Sequence, residues 1–259
     1  MFSRFDFRRT ALLPCGLLVA AAAMAQADPY PELSVSTGAS VSAGGYGTDA
    51  EVRDTYIPLG FTAMYEKFAF SVNVPYLSVD TTSEGVTTTE SGLGDITVSV
   101  TAFNVLHSGK LDMALDVTGA LKVGSADRDK GLGTGENDAA IYLDGYKFFD
   151  NVTLFGSLGH RWRGEPPGVA LDDVFLATAG LAYASGSGRH IGIMADYRQT
   201  SLSGFDDIRE IQAYVVFPLG DALDLELYAF TGLTDSSAEW GAGFAIAADL
   251  RRLAYRRAR

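Results

Sequence analysis

The feature that most constrains this chain is an alternation of apolar and polar residues with a period of two. Between Leu111 and Val123 the chain reads LDMALDVTGALKV, with Asp112, Asp116 and Lys122 set between apolar residues. Strand side chains point alternately to two faces, so this segment has one apolar and one polar face. The pattern recurs about a dozen times, whereas helical periodicity is scarce. We therefore expect an all-β protein, either a soluble sandwich or a membrane barrel.

The N-terminal segment favours export and the membrane alternative. Three arginines among the first nine residues precede an apolar run that ends at Met24. Because Ala25-Gln26-Ala27 fits the small-x-small cleavage pattern, we predict a secretory signal peptide over residues 1–27, cleaved between Ala27 and Asp28. The apolar run is too short for a spanning helix. Cys15 lies within the predicted signal, so the mature chain has no cysteine for disulfides or metal binding.

Length and charge fit a single exported domain. The 259 residues carry a formal net charge of −12, and loss of the arginine-rich signal makes the mature chain more acidic. This acidity argues against a nucleic-acid partner. We predict one barrel over residues 28–250, followed by a basic tail over residues 251–259 that is disordered. No metal and no other cofactor is expected.

Twelve strands are predicted after the signal, each of roughly 9–13 residues, which suffices to cross a bilayer when tilted. Pro58 and Pro75 lie inside two of them, and each removes a hydrogen-bond donor from the ladder. The predicted strands are Leu33 to Ala43, Tyr56 to Tyr65, Phe68 to Val79, Asp95 to Val105, Leu111 to Val123, Asp138 to Phe148, Val152 to Trp162, Val174 to Ala184, Ile191 to Thr200, Ile208 to Phe217, Leu223 to Thr231 and Glu239 to Leu250.

The connections between these strands alternate in length. Glu66-Lys67 and Phe149 to Asn151 are short, whereas Asp80 to Gly94 and Gly124 to Asn137 are long. Outer-membrane barrels have short periplasmic turns and longer external loops, and a soluble sandwich has no reason to sort its loops in this way. We therefore predict a transmembrane antiparallel up-and-down β-barrel of about twelve strands, integral to the outer membrane of a Gram-negative bacterium.

The polar faces of the strands contain no recognisable catalytic arrangement. A serine hydrolase needs a histidine within hydrogen-bond reach of its nucleophile. Ser157 and His160 are three residues apart on a strand and therefore face opposite sides. His107 and His190 belong to short turns. We predict that the protein is not an enzyme.

Alternation instead predicts a set of side chains that line the lumen. Opposite charges in this set can pair across the lumen and close it, or they can line a narrow pore that selects solutes. Both alternatives stay open at this point. The candidate lumen-lining residues are Asp112, Asp116, Asp144, Arg161, Asp196, Arg198, Glu210, Tyr214, Asp224 and Glu226.

Glycine-rich motifs in the middle of the chain carry a family resemblance. Ser91-Gly92-Leu93-Gly94-Asp95 opens a strand, Lys122-Val123-Gly124 closes the next, residues 131–138 read GLGTGEND, and Leu158-Gly159-His160-Arg161 follows. This order resembles the outer-membrane transporter family associated with degradation of phenol and other aromatic compounds. Its members often have Pro-Thr-Gly in place of Lys122-Val123-Gly124, and a tyrosine in place of His160. The resemblance implies a barrel that passes small, often hydrophobic molecules.

The same glycines have a simple physical interpretation. We expect those in residues 91–94 and 131–135 to allow positive φ in tight loops at the barrel rim. Asp95 and Asp138 are expected to satisfy turn amides at the starts of their strands. A phosphate-binding role is disfavoured because no helix follows the motif.

Taken together, the sequence predicts a passive channel or transporter for small molecules, including hydrophobic or aromatic compounds. The alternative is a non-transporting barrel whose Thr-rich and Ser-rich loop, Asp80 to Glu90, serves adhesion or envelope structure. The expected partners are outer-membrane lipid, the barrel-assembly machinery and a small solute whose identity the sequence does not specify.

Overall fold

The computed structural model of the chain describes residues 31–257 and a separate two-residue ladder between Ala11–Leu12 and Leu18–Val19. The predicted cleavage site at Ala27 and Asp28 lies outside the described residues. Within residues 31–257, thirteen strands share one antiparallel sheet and one helix follows the last strand. No helix in this range is long and apolar enough to span a membrane. The elements are β1 (Glu32–Gly44), β2 (Glu51–Met64), β3 (Phe68–Ser83), β4 (Val86–Leu93), β5 (Ile96–Ser108), β6 (Met113–Val123), β7 (Asp138–Phe149), β8 (Val152–Trp162), β9 (Val174–Ala184), β10 (His190–Arg198), β11 (Ile208–Pro218), β12 (Leu223–Gly232), β13 (Trp240–Asp249) and α1 (Leu250–Arg257).

Twelve of the strands close into a barrel, which confirms the predicted fold. Neighbours in sequence pair antiparallel around the ring, and β13 returns to pair with β1 from Trp240↔Ala43 to Asp249↔Ser34. The predicted short connections all lie at one end of the barrel, which we call the short-turn end, and the long ones lie at the opposite, long-loop end. Closure leaves no unpaired sheet edge inside the ring, as a bilayer requires.

The thirteenth strand, β4, was not predicted. Glu84 and Gly85 both have positive φ (51° and 79°), as in a two-residue hairpin turn, and they fold β4 back on β3. β3 pairs with β5 only from Phe68 to Asn73 and with β4 from Tyr76 to Ser83. The segment predicted as a long loop is therefore a β-hairpin that extends the barrel wall at the long-loop end.

Two prolines inside strands are accommodated where the ladders change. Pro58 and Pro75 lie directly opposite each other in the β2–β3 pair. The β1–β2 ladder skips from Thr37↔Leu59 to Ser40↔Tyr56, so Pro58 occupies a position where no ladder bond to β1 forms. Pro75 lies between the end of the β5 pairing and the start of the β4 pairing. The prolines therefore remove no backbone N–H group that a neighbouring strand needs as a hydrogen-bond donor.

Exposure alternates along the strands as the sequence predicts. On β10, Ile193 is 47% exposed whereas the next residue, Met194, is 3% exposed. Ile57, Leu59 and Phe61 on β2 are likewise exposed. The outer surface is therefore apolar, whereas the buried inner wall carries the charged side chains together with apolar ones such as Met194.

The basic tail is helical where it is described, so the expectation of disorder was wrong for residues 251–257. The side chain of Asp249 accepts hydrogen bonds from the backbone N–H groups of Arg251 and Arg252, at 3.0 and 3.1 Å. This is an N-cap, which satisfies two of the free amides at the start of a helix. The Arg252 guanidinium also donates to the Asp221 carbonyl at 2.8 Å.

The seam between β1 and β13 depends on a close backbone approach at Gly38. A Cβ atom there would lie 2.1 Å from the Phe244 carbonyl oxygen and 2.9 Å from the Ala245 Cα. We expect Gly38→Ala to lower the free energy of unfolding by about 2 kcal/mol, because two backbones must separate to admit the methyl group.

The matched control is Gly119→Ala, where an added Cβ meets no atom within 4 Å. Urea titration of the refolded barrel, followed by heat-modifiable migration on gels, measures both variants. Equal unfolding midpoints for the two would contradict the assignment of Gly38 to the seam.

Candidate functional site

The inner wall at the long-loop end encloses a cavity of about 350 Å³. Four of the ten predicted lumen residues line it, namely Arg161 on β8, Asp196 and Arg198 on β10, and Glu210 on β11. Asp196 and Glu210 are direct cross-strand neighbours. Arg161 donates to the Tyr142 hydroxyl at 3.2 Å. Alternation alone thus places these charges on one stretch of inner wall.

The cavity has both apolar and charged walls. Its other charged side chains are Asp95, Lys122 and Asp138, the last two on β6 and β7, four and three strands around the ring from Arg198 on β10. The positive charge of Arg198 interacts with the carboxylates of Asp196 and Glu210 on the same part of the wall. Between the charged groups lie apolar and aromatic side chains, which are Tyr56, Pro75, Leu77, Leu132, Tyr142, Leu176 and Ile208.

Four other predicted residues face inward at the middle and the short-turn half of the barrel. Asp116, Asp144, Tyr214 and Glu226 are all nearly completely buried. Asp116 and Asp144 are cross-strand neighbours. Asp116 accepts the Asn104 N–H at 2.7 Å, where a register shift in β5 frees that amide. Asp144 accepts the Thr118 hydroxyl at 3.3 Å. None of these four lines the cavity, although Asp144 contacts it through Thr118, which does.

The last two candidates lie at the short-turn end. Asp112 is not on a strand, because β6 begins one residue later and Asp112 has a φ of 48° in the preceding turn. Its carbonyl accepts the Phe148 N–H at 2.9 Å. Asp224 is half-buried on the second residue of β12. Alternation misplaced Asp112 because it extended the strand one position into a turn.

An aromatic cluster occupies the inner wall of the short-turn half. Tyr146 and Tyr214 are buried there beside Val216, with Ala114 and Ala182 between them, and three more rings pack against this group. Tyr146 and Phe148 stack at 6.3 Å between ring centroids. The partly buried rings of this cluster are Phe148, Phe155 and Tyr228.

Sequence reasoning missed a charged network that holds the long-loop end together. The Lys122 ammonium donates to Asp95 at 2.8 Å and to the Thr134 hydroxyl at 2.9 Å, and lies 3.5 Å from the Asp138 carboxylate. Asp138 is 2% exposed and is also 3.5 Å from the Arg163 guanidinium. Burial lowers the pKa of Arg163, and the charge of Asp138 opposes that lowering.

The two aspartates bind loops other than their own. Asp95 accepts the Ala126 N–H at 3.0 Å, and Asp138 accepts the Gly164 N–H at 3.0 Å. They were expected to satisfy turn amides at the starts of their own strands, so their partners were predicted wrongly. The sequence feature that could have revealed the network is the position of both aspartates inside the glycine-rich motifs. All three motifs between residues 91 and 138 meet in this network.

The glycines of these motifs have two different roles. Gly131 and Gly135 have a φ of 70°, as the prediction of positive φ at the rim requires. Gly133 instead permits close packing, because a Cβ there would lie 2.6 Å from the Ala126 Cβ and 2.7 Å from the Asp95 carboxylate. Gly92 and Gly94 do not have positive φ.

A second cavity of about 290 Å³ lies among the long loops and shares Arg198 and Ile208 with the first. Leu202 and Phe205 contribute exposed apolar side chains to it. The loop that carries them is anchored at Asp207, which accepts the Tyr197 hydroxyl at 2.8 Å and the Thr200 N–H at 3.0 Å. These two hydrogen bonds hold the pKa of Asp207 below its usual range, the backbone bond contributing most.

The expected separation of Ser157 from His160 is seen in the structure. Ser157 is buried on the inner wall, whereas His160 lies on the outer face, 4.8 Å from the ring of Trp162. His160 is 3.8 Å from Asp173 in the following loop. No group of three or more His, Cys, Asp or Glu side chains in the described part of the chain forms a metal site.

The charged network makes a direct stability prediction. Asp138→Ala leaves the Arg163 guanidinium without its carboxylate partner and leaves Lys122 with Asp95 alone, so we expect a loss of about 3 kcal/mol in the free energy of unfolding. Asp129→Ala is the matched control, since Asp129 is exposed in the loop that precedes Asp138. Urea midpoints that agree within error for the two variants would rule out a stabilising role for the network.

The comparisons with known proteins agree with this architecture. The COG4313 outer membrane channel from Pseudomonas putida F1 superposes with a TM-score of 0.72 at 13% identity, covering 88% of this chain and 99% of that one. The KdgM porin superposes with a TM-score of 0.55 at 11% identity, covering 83% and 98%. The beta domain of the Bordetella autotransporter BrkA superposes with a TM-score of 0.52 at 14% identity, covering 85% of this chain and 99% of that one.

At these identities the structural likeness establishes the fold, an outer-membrane-type β-barrel. No curated protein matches the chain in sequence. A family model does match, over residues 32–250, which includes every strand of the barrel. Its description is "Putative MetA-pathway of phenol degradation". The chain belongs to this family.

Proposed function

We propose that the protein is an outer-membrane channel for passive passage of small, uncharged solutes, including hydrophobic and aromatic compounds. The observation that carries the proposal is a pair of cavities whose linings share Arg198 and Ile208. One lies among the long loops and the other lies against the inner wall of the barrel, so a solute that enters the first is next to the second. Their lining combines apolar surface with a few polar groups, as small-molecule sites do.

The charges of the inner cavity favour uncharged solutes over ions. Its basic side chains, Lys122, Arg161 and Arg198, are nearly balanced by four carboxylates. Lys122 is already paired with Asp95. A lining of compensated charges gives no strong attraction to either sign of ion, whereas pores that select ions carry rings of one sign.

Size and shape favour compounds with one ring. A cavity of about 350 Å³ lies at the lower end of the range for small-molecule sites. Tyr142 and Leu176 offer flat and apolar surface to such a ring. On the short-turn side of this cavity lies the packed aromatic cluster that contains Tyr146 and Tyr214.

The same proposal includes a location and an orientation. The predicted signal peptide delivers the chain to the periplasm, and the barrel-assembly machinery inserts it so that the short turns face the periplasm. The exposed apolar faces of the strands then contact lipid. Integral insertion is supported by outward side chains such as Ile191, which is 58% exposed.

The competing function is adhesion or envelope structure. The β3–β4 hairpin favours it, because it extends the wall beyond the ring and β4 pairs on one edge only. A folded barrel that facilitates passage of no solute would leave this alternative as the better account.

Filling the cavity tests passage directly. Ala140 lines the cavity, and its neighbour Ala139 lies on the exposed outer face of the same strand. We expect Ala140→Trp to reduce facilitated uptake of phenol roughly tenfold, because the indole occupies the space that the solute needs. Ala139→Trp is the matched control and should retain the uptake of the unmodified protein.

The measurement uses vesicles whose outer leaflet is lipopolysaccharide, with uptake into protein-free vesicles subtracted. Wild-type protein that is folded and inserted yet adds nothing to phenol uptake would refute the channel. Equal uptake through the two tryptophan variants would refute this cavity as the route.

A further inference from the structure

One loop at the long-loop end is folded into the barrel instead of out into solvent. Residues 124–137, which we call the inner loop, carry Leu132, whose side chain is 4% exposed. Its neighbours Lys130 and Gly131 are exposed. Leu132 lines the inner cavity. A leucine in a loop between two strands is thus part of the lumen wall.

The inner loop is held in this position by bonds at several points. Its Thr134 hydroxyl accepts from Lys122 at 2.9 Å, and its Ala126 N–H donates to Asp95 at 3.0 Å. The Ser125 hydroxyl donates to the Gly94 carbonyl at 3.1 Å and accepts the Ile96 N–H at 3.0 Å. The end of β6, the start of β5 and the connection before β5 therefore hold the inner loop against the wall at Ser125, Ala126 and Thr134.

The packing around Leu132 leaves little freedom for its side chain. A Cβ atom at Gly92 would lie 3.0 Å from the Leu132 Cδ1, so the leucine rests against the backbone of β4. The Leu132 N–H donates to the Asp127 carbonyl at 3.2 Å within the loop. The side chain is therefore held at one fixed place in the cavity.

We propose that Leu132 sets the upper size of the solutes that pass, and that Lys122 positions it. The proposal rests on the proposed channel function and adds its size filter. Leu132 occupies the end of the cavity nearest the inner loop, and its removal extends the cavity along the loop. Solutes with one ring fit beside the leucine, whereas two fused rings compete with it for the same space.

The test compares uptake of phenol and 2-naphthol, which share a hydroxyl group and differ by one fused ring. Uptake is measured in the lipopolysaccharide vesicles, with wild-type protein and four variants. Leu132→Ala should raise the 2-naphthol to phenol uptake ratio by about fivefold, because it widens the apolar space that excludes the second ring. Leu233→Ala is the matched control, since Leu233 is exposed at the long-loop end and lies outside both cavities.

Lys122→Met tests the positioning role. Loss of the ammonium releases Asp95 and Thr134, so the inner loop moves and the ratio rises as in Leu132→Ala. Lys130→Met is its control, because Lys130 is an exposed lysine of the same loop. Loss of folded protein alone lowers uptake of both solutes together and leaves the ratio unchanged, and heat-modifiable migration reports the folded fraction.

The outcomes separate the size filter from the channel itself. A raised ratio in Leu132→Ala and Lys122→Met, with both controls unchanged, supports the proposal. Wild-type uptake of phenol with an unchanged ratio in folded Leu132→Ala overturns the size filter and leaves the channel standing. Absence of facilitated phenol uptake in the wild type overturns the channel and the size filter with it.

Discussion

Closure of the sheet between β1 and β13 is the constraint on which the rest of the structure depends. In a bilayer each unpaired backbone amide or carbonyl costs several kcal/mol, so a strand cannot end as an edge. The ring of ladders satisfies these groups at every strand of the barrel. Because the wall is closed, each strand side chain faces either lipid or the lumen. The side chains that face lipid are apolar, and the polar side chains face the lumen.

The enclosed polar groups then have to satisfy one another. At the long-loop end Lys122, Asp95 and Asp138 do so and at the same time fasten three separate glycine-rich segments. In the short-turn half, aromatic side chains such as Tyr146 and Tyr214 fill the interior. Between these two regions is the cavity, bounded by Arg198 and Leu132. The described part of the barrel interior therefore contains a cavity of about 350 Å³, next to a second one of about 290 Å³ among the long loops.

Much of the fold was predictable because successive side chains of a strand point to opposite faces, so strands can be recognised from neighbouring residues alone. Every predicted strand is present, and β8 and β9 have the predicted bounds. The alternation also placed Arg161, Asp196 and Glu210 correctly on the inner wall. The alternation did not reveal β4, because the Thr-rich segment from Val86 to Leu93 does not alternate between apolar and polar residues.

The network at Lys122 was not predictable, because Asp95 and Ala126 are 31 positions apart and meet only after β5 and β6 have paired. The measurement that tests the central claim most directly uses the absence of cysteine from the predicted mature chain. Thr97 lines the cavity and Val98, the next residue, faces outward. A water-soluble maleimide that does not cross lipid should label Thr97→Cys on intact cells, be slowed by added phenol, and leave Val98→Cys unlabelled. Equal labelling of the two cysteines would contradict the account of a lipid-embedded barrel with a solute-accessible lumen.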